Sequence, residues 1–154
     1  MKNKASILPE LSREEMLEML QHERVGRIGL NDSLHPYVVP TDFAFLDGAI
    51  YIHTPNNGLK AELARKDPHV CFEVDRYNPE VTDYRSIIIR GLISEVADGN
   101  EKRLAMRSLA EKAMMSGHPG KEKNNNGRKL PSISIFKIHI MEMTGVKSPA
   151  GGHP

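Results

Sequence analysis

The chain has 154 residues, 39% of them hydrophobic and 27% charged, which suits one domain with its own core. Its 21 Lys and Arg against 20 Asp and Glu leave a formal charge of +1, and no basic stripe with interleaved aromatics is present, which argues against a nucleic-acid-binding surface. A single cysteine, Cys71, excludes an internal disulfide framework, and no segment is apolar for long enough to be a signal peptide or a membrane span, so a cytoplasmic protein without membrane partners is expected.

Taken in order, residues 1–11 read as an extended lead-in. Ser12 with Glu15 forms a capping box, and Met16, Leu17, Met19 and Leu20 give the apolar stripe of a helix to about Glu23. Arg24 to Leu30 is a short strand, in which Gly26 and Gly29 suggest a bulge or a close approach by another backbone. Asn31-Asp32-Ser33 is a loop.

From Tyr37 the alternation of Tyr37, Val39, Thr41, Phe43 and Phe45 with Val38, Pro40, Asp42 and Ala44 predicts the first arm of a β-hairpin. Asp47-Gly48 is its turn, and Ala49 to Thr54 the second arm. Pro40 removes a ladder donor and implies an edge or a bulge. Asp42 and His53, on facing arms of an otherwise apolar hairpin, need partners or a task. The turn Pro55-Asn56-Asn57-Gly58 then leads into a helix opening with Leu59 and Lys60. The Thr54 hydroxyl, the turn, the helix N-terminus and the Lys60 ammonium together make the parts of an anion site. A hairpin that serves only as core, with a solvated lysine beside it, is the plainer alternative.

The helix from about Gly58 stops at Asp67-Pro68, and His69 to Asp75 is a strand. Tyr84 to Val96 is a long strand whose apolar run, Ile87 to Ile93, is broken only by Arg90 and Gly91, as for a strand buried on both faces or bent at a barrel corner. Gly99 to Met115 is an amphipathic helix of mixed faces, residues 116–130 a polar, flexible surface loop, Leu130 to Met143 a strand, and 148–154 a tail. The sum is a single domain over 1–154 with about six strands and two or three short helices, a small α+β barrel.

Side-chain catalysis finds little support. Gly26-Arg27-Ile28-Gly29 lacks the spacing of a dinucleotide fingerprint, and Gly117 to Lys121 is too short between glycines for a phosphate loop. His69 and Cys71 could share a metal but supply two ligands only, and no nucleophile elbow occurs, so no metal site is expected. An activity carried by a bound cofactor fits better.

The order of these pieces resembles the flavin-binding split barrels related to pyridoxamine 5′-phosphate oxidase and, within them, the small nitroimidazole-resistance-type proteins. The resemblance covers roughly residues 12–147: a capping-box helix, VGRIGLND, PYVVPTDF, the DG turn, IYIHTPNNGLK, a helix ending in DP, VCFEVD, YRSIIIRG and a strand closing on EMTG. It implies a six-stranded split β-barrel with short flanking helices, forming a homodimer with FMN at the subunit interface. On that pattern Val38, Val39, Pro40, Thr41, Asp42 and Phe43 lie along the flavin ring, Thr54 and Lys60 hold the phosphate, and Asn57 and Gly58 supply the turn around it. Ser86 reaches the flavin where the oxidases carry glutamine, and His53 stands at the position of the candidate active-site histidine. The oxidases' Arg-Lys pair is here Leu59-Lys60, and their C-terminal tryptophan and arginine have no counterpart, so vitamin oxidation is not implied. What is implied is an FMN-dependent oxidoreductase passing electrons from a donor such as NAD(P)H to a small electrophile such as a nitro compound or quinone. A non-catalytic flavin, haem or deazaflavin protein, serving as a reservoir or redox sensor, is the competing expectation.

Overall fold

The computed structural model describes residues 8–115 and 132–149. The expected loop over 116–130, residues 1–7 of the lead-in and 150–154 of the tail lie outside the described residues. The elements run α1 (Arg13–His22), β1 (Val25–Asp32), β2 (His35–Asp42), β3 (Ala44–Leu46), β4 (Ala49–Pro55), α2 (Leu59–Lys66), β5 (His69–Tyr77), β6 (Tyr84–Glu95), α3 (Gly99–Met115) and β7 (Ile133–Lys147).

Local chemistry sets most of these boundaries. Glu15 N–H donates to Ser12 Oγ at 3.1 Å and Ser12 N–H to Glu15 Oε1 at 3.0 Å, the reciprocal cap that starts α1. Asp47 and Gly48 both take positive φ, 50° and 77°, and pair Leu46 with Ala49 across a two-residue turn. Asn31 and Asp32 belong to β1 rather than to a loop, because Asp32 pairs with His35 and the turn shrinks to Ser33-Leu34.

All neighbours are antiparallel, in the order β2-β1-β5-β6-β7-β4-β3. The described residues form seven strands where about six were expected, because the first hairpin arm divides at Phe43. Residues up to Asp42 pair with β1, and only Ala44 to Leu46 pair with β4. Phe43 N–H donates to Arg24 O at 3.2 Å, outside both ladders, and its ring turns into the core. Since β2 and β3 are the two edges of the sheet yet only Phe43 separates them, the edges must lie side by side. The sheet therefore curls round and meets itself at that residue, consistent with a split barrel. Pro40 falls on edge strand β2, where a missing donor costs least.

The interior is lined by alternate residues of each strand, among them Ile28, Phe72, Val74, Ile87, Ile89, Ile50, Ile52, Phe136 and Ile138, with α1 and α2 adding Met19, Leu20, Ala61 and Leu63. β6 is buried on one face only: Ile88 is 40% exposed, and the strand bends at a bulge between Arg90 and Gly91. Gly91 has no room for a side chain, since a Cβ would strike the His139 carbonyl; at Gly26 it would strike the Phe72 ring. On the other face of β4 and β7, α3 packs Ala105 against Ala49, Tyr51 and Ile135. Its buried face is thus Ala105, Leu109 and Lys112, while Leu104 is exposed.

Candidate functional site

β4 carries the candidate residues to one end of the sheet. Its alternation places Ile50, Ile52 and Thr54 towards the core and Tyr51 and His53 on the opposite face. β2, which ends at Asp42, comes close to β4 across the Phe43 break although the two strands do not pair. The electrostatics agree: Asp42 acts on both His53 and Lys60, and Lys60 acts on His53. Asp42, His53, Thr54, Gly58 and Lys60 therefore surround the Pro55–Gly58 turn and the start of α2.

Three features of this cluster are unsatisfied among the described residues. Thr54 Oγ1 and His53 Nδ1 are buried and have no hydrogen-bond partner there. Helix α2 begins at Gly58 with no side-chain cap, leaving its first N–H groups without intrahelical acceptors. Lys60 is half-buried and makes no hydrogen bond or ion pair among the described residues, and burial pulls its pKa below 10.5, with Asp42 partly opposing. Asp42 is itself held by Arg24, Nη2 to Oδ2 3.4 Å. Burial likewise lowers His53 below 6.5; Asp42 opposes this and Lys60 adds to it. An unpaired half-buried cation beside an open helix N-terminus is the arrangement that an anion relieves.

The other expected residues are placed as follows. Val38 (64% exposed) and Pro40 lie on the outer face of β2 and Val39 on its inner side; Thr41 is buried and donates from Oγ1 to Asp42 O at 3.1 Å. Phe43 is wholly buried, packed edge-on against Phe72 at 5.2 Å between ring centres. Asn57 is exposed in the turn. Ser86 is not with the others. His53 pairs with Ile135 and Ser86 with Val146, eleven positions further along β7, a path of roughly 36 Å along the strand at ~3.3 Å per residue.

Sequence reasoning missed two cations here. Arg24, next to the strand start, pairs with Asp42. Lys112 lies on the buried face of α3, its Nζ 2.8 Å from Leu20 O and 3.6 Å from the centre of the Phe43 ring, and burial brings its pKa down to about 8. No local signal separates such a lysine from a solvated one; only a register in which Ala105, Leu109 and Lys112 share a face could have pointed to it.

Among the described residues no group of histidine, cysteine and carboxylate side chains is placed to hold a metal ion, and no helix is long and apolar enough to cross a membrane. A family model for pyridoxamine 5′-phosphate oxidase matches residues 12–147. The chain belongs to that family. Among solved structures, this pyridoxamine 5′-phosphate oxidase family member is similar to a FAD-binding protein from Mesorhizobium loti, with a TM-score of 0.72 and 24% identity over 94% of this chain and 100% of that one. A FAD- and haem-binding protein from Mycobacterium smegmatis gives 0.70 and 13% over 93% and 74%. A proposed 5-nitroimidazole antibiotic resistance protein from Bacteroides thetaiotaomicron gives 0.68 and 19% over 90% and 86%. At these identities the likeness establishes a shared fold. No curated protein matches the chain.

Proposed function

We propose that this chain is an FMN-binding flavoprotein, a homodimeric reductase of small electrophiles such as nitro compounds or quinones, with NAD(P)H as electron donor. The observation that carries the reading is Lys60: a half-buried ammonium that has no ion pair among the described residues, set in the first turn of an uncapped helix next to a threonine hydroxyl likewise unpartnered among them. A phosphate monoester supplies what all three lack. Lys60 gives the charge, the α2 N–H groups and Thr54 Oγ1 give donors, and Gly58 keeps the turn free of a side chain. The flavin, when bound, supplies the electron transfer that no side chain of this chain provides. Val38 to Phe43 would run along its ring and His53 would hold a proton at Nδ1 for the acceptor.

The dimer would reconcile Ser86 with the site. If Ser86 is to reach the flavin as the resemblance implies, the register within one chain leaves that contact to the Ser86 of a second copy. The β2-β1-β5-β6 outer face, with Val38, Cys71 and Ile88 exposed, is open to such a partner. FAD is the second reading, favoured by the names of the M. loti and M. smegmatis proteins.

Lys60→Ala tests the phosphate assignment. Losing a charge-assisted contact is worth about 1.5–3 kcal/mol, so FMN should bind about tenfold to a hundredfold more weakly, as read from titration of the apoprotein. Unchanged FMN affinity would remove Lys60, and with it the phosphate site, from the account.

A further inference from the structure

The turn that opens the candidate phosphate site is clasped from behind by a residue of the same helix. Arg65, in the last turn of α2, donates from Nη1 to the main-chain oxygen of Asn56 at 2.8 Å and from Nη2 to Asn56 Oδ1 at 2.7 Å. Two strands anchor the guanidinium. Glu95 at the end of β6 accepts from Nε at 3.2 Å and from Nη2 at 2.9 Å, and Ser134 Oγ on β7 lies 3.3 Å from Nη2. Ser134 Oγ in turn donates to Asn56 Oδ1 at 2.8 Å, and Asn56 N–H donates to Ser132 O at 2.7 Å. The main-chain N–H and oxygen of Asn56, and its side-chain oxygen, are thus all engaged. The guanidinium also lies 5.6 Å from the centre of the Phe136 ring.

Arg65 is not itself equipped to be the anion's partner. Its charge is matched by Glu95, whose carboxyl it holds below the usual carboxylate range, and all three of its nitrogens are already donating. Lys60, five residues earlier on the helix, has no such partner. Lys60 and Arg65 therefore divide the work: one faces an anion, the other fixes the loop, while Lys66 pairs with Glu62 on the surface.

We propose that Arg65 is the positioning residue of this turn. By fixing Asn56 it sets the geometry in which the Thr54 hydroxyl, the first N–H groups of α2 and Lys60 converge, and it thereby governs the preference for phosphorylated over unphosphorylated flavin without touching either. The inference rests on the phosphate reading of the site. Lysine cannot replace the planar fork, which addresses a main-chain oxygen, an amide oxygen and a carboxylate at once.

The test compares FMN with riboflavin, which lacks the phosphate, by titrating each against the apoprotein of the wild type, Arg65→Lys and Glu95→Gln. The wild type should prefer FMN by tenfold or more, about one charge-assisted contact. Arg65→Lys should lose about tenfold in FMN affinity and stay within about twofold for riboflavin, so that the preference itself collapses. A merely structural role would weaken both ligands alike, and that result overturns the proposal. Glu95→Gln leaves the arginine in place and loosens its anchor; it should shift the preference in the same direction by a smaller factor. Should Arg65→Lys not fold, an unchanged preference in Glu95→Gln overturns the proposal by itself. A preference kept in both variants sinks the role of Arg65 alone, whereas a wild type that binds the two flavins equally sinks the phosphate reading and this inference with it.

Discussion

His53→Ala is expected to leave flavin bound and to slow turnover by about a hundredfold or more, the usual range for loss of a positioned proton donor. His53 is the one imidazole of the cluster, the side chain whose ordinary pKa lies closest to neutrality, and its Nδ1 is buried with no hydrogen-bond partner among the described residues. Burial holds the imidazole below 6.5, so at pH 7 it is mainly neutral and must gain a proton before it can give one. Wild-type turnover should therefore climb as pH falls through that lowered value, and the variant should lack this limb. The same shift has a consequence for stability. A histidine whose folded pKa lies below its unfolded value contributes fully above about 6.5 and loses that contribution as pH falls below it, so the gain in rate on acidification is accompanied by a loss of stability. Equal turnover and equal pH profiles in the two proteins would take His53 out of the mechanism.

Phe43→Ala is expected to destabilise the fold by about 3–5 kcal/mol, a large share of the roughly 5–15 kcal/mol that holds a domain together. The ring is fully buried, meets Phe72 edge-on and lies beneath the Lys112 ammonium. It also sits at the residue where the sheet meets itself, so the cavity opens at the seam between β2 and β3, where no ladder hydrogen bond compensates. Removing the ring further strips a half-desolvated ammonium of its neighbouring π face. Urea unfolding of the two proteins measures the difference directly. A cost under about 1 kcal/mol would mean that the seam is closed by something other than this side chain.

How far the sequence reveals these features depends on how local their causes are. The capping box at Ser12, the Asp47-Gly48 turn and the helix stop at Asp67-Pro68 are each decided by a few adjacent residues, and each stands where the sequence places it. The turn before α2 is legible for the same reason. The break at Phe43 is not, because inner and outer residues keep the same alternation on both sides of it; what changes is the partner strand, a matter of topology. The continuous apolar run of β6 likewise allows burial on both faces, and only the uncovered sheet face leaves Ile88 exposed. Ser86 belongs to the candidate site by resemblance alone, and the register shows it remote from His53 within one chain. Arg65 and Lys112 look in the sequence like ordinary basic residues of helix ends. Their roles arise from Asn56, Glu95 and Ser134 in one case and from Leu20 and Phe43 in the other, partners that, Asn56 excepted, lie far away along the chain.

The most direct test of the account is the absorption spectrum of the purified protein, followed by denaturation and identification of whatever is released. Flavin bands are expected, with FMN in the supernatant. Released FAD would keep the fold and the anion site but replace the monoester by a dinucleotide. A Soret band, or a colourless protein that takes up no added FMN, would contradict the claim that the Lys60 cluster is a flavin phosphate site.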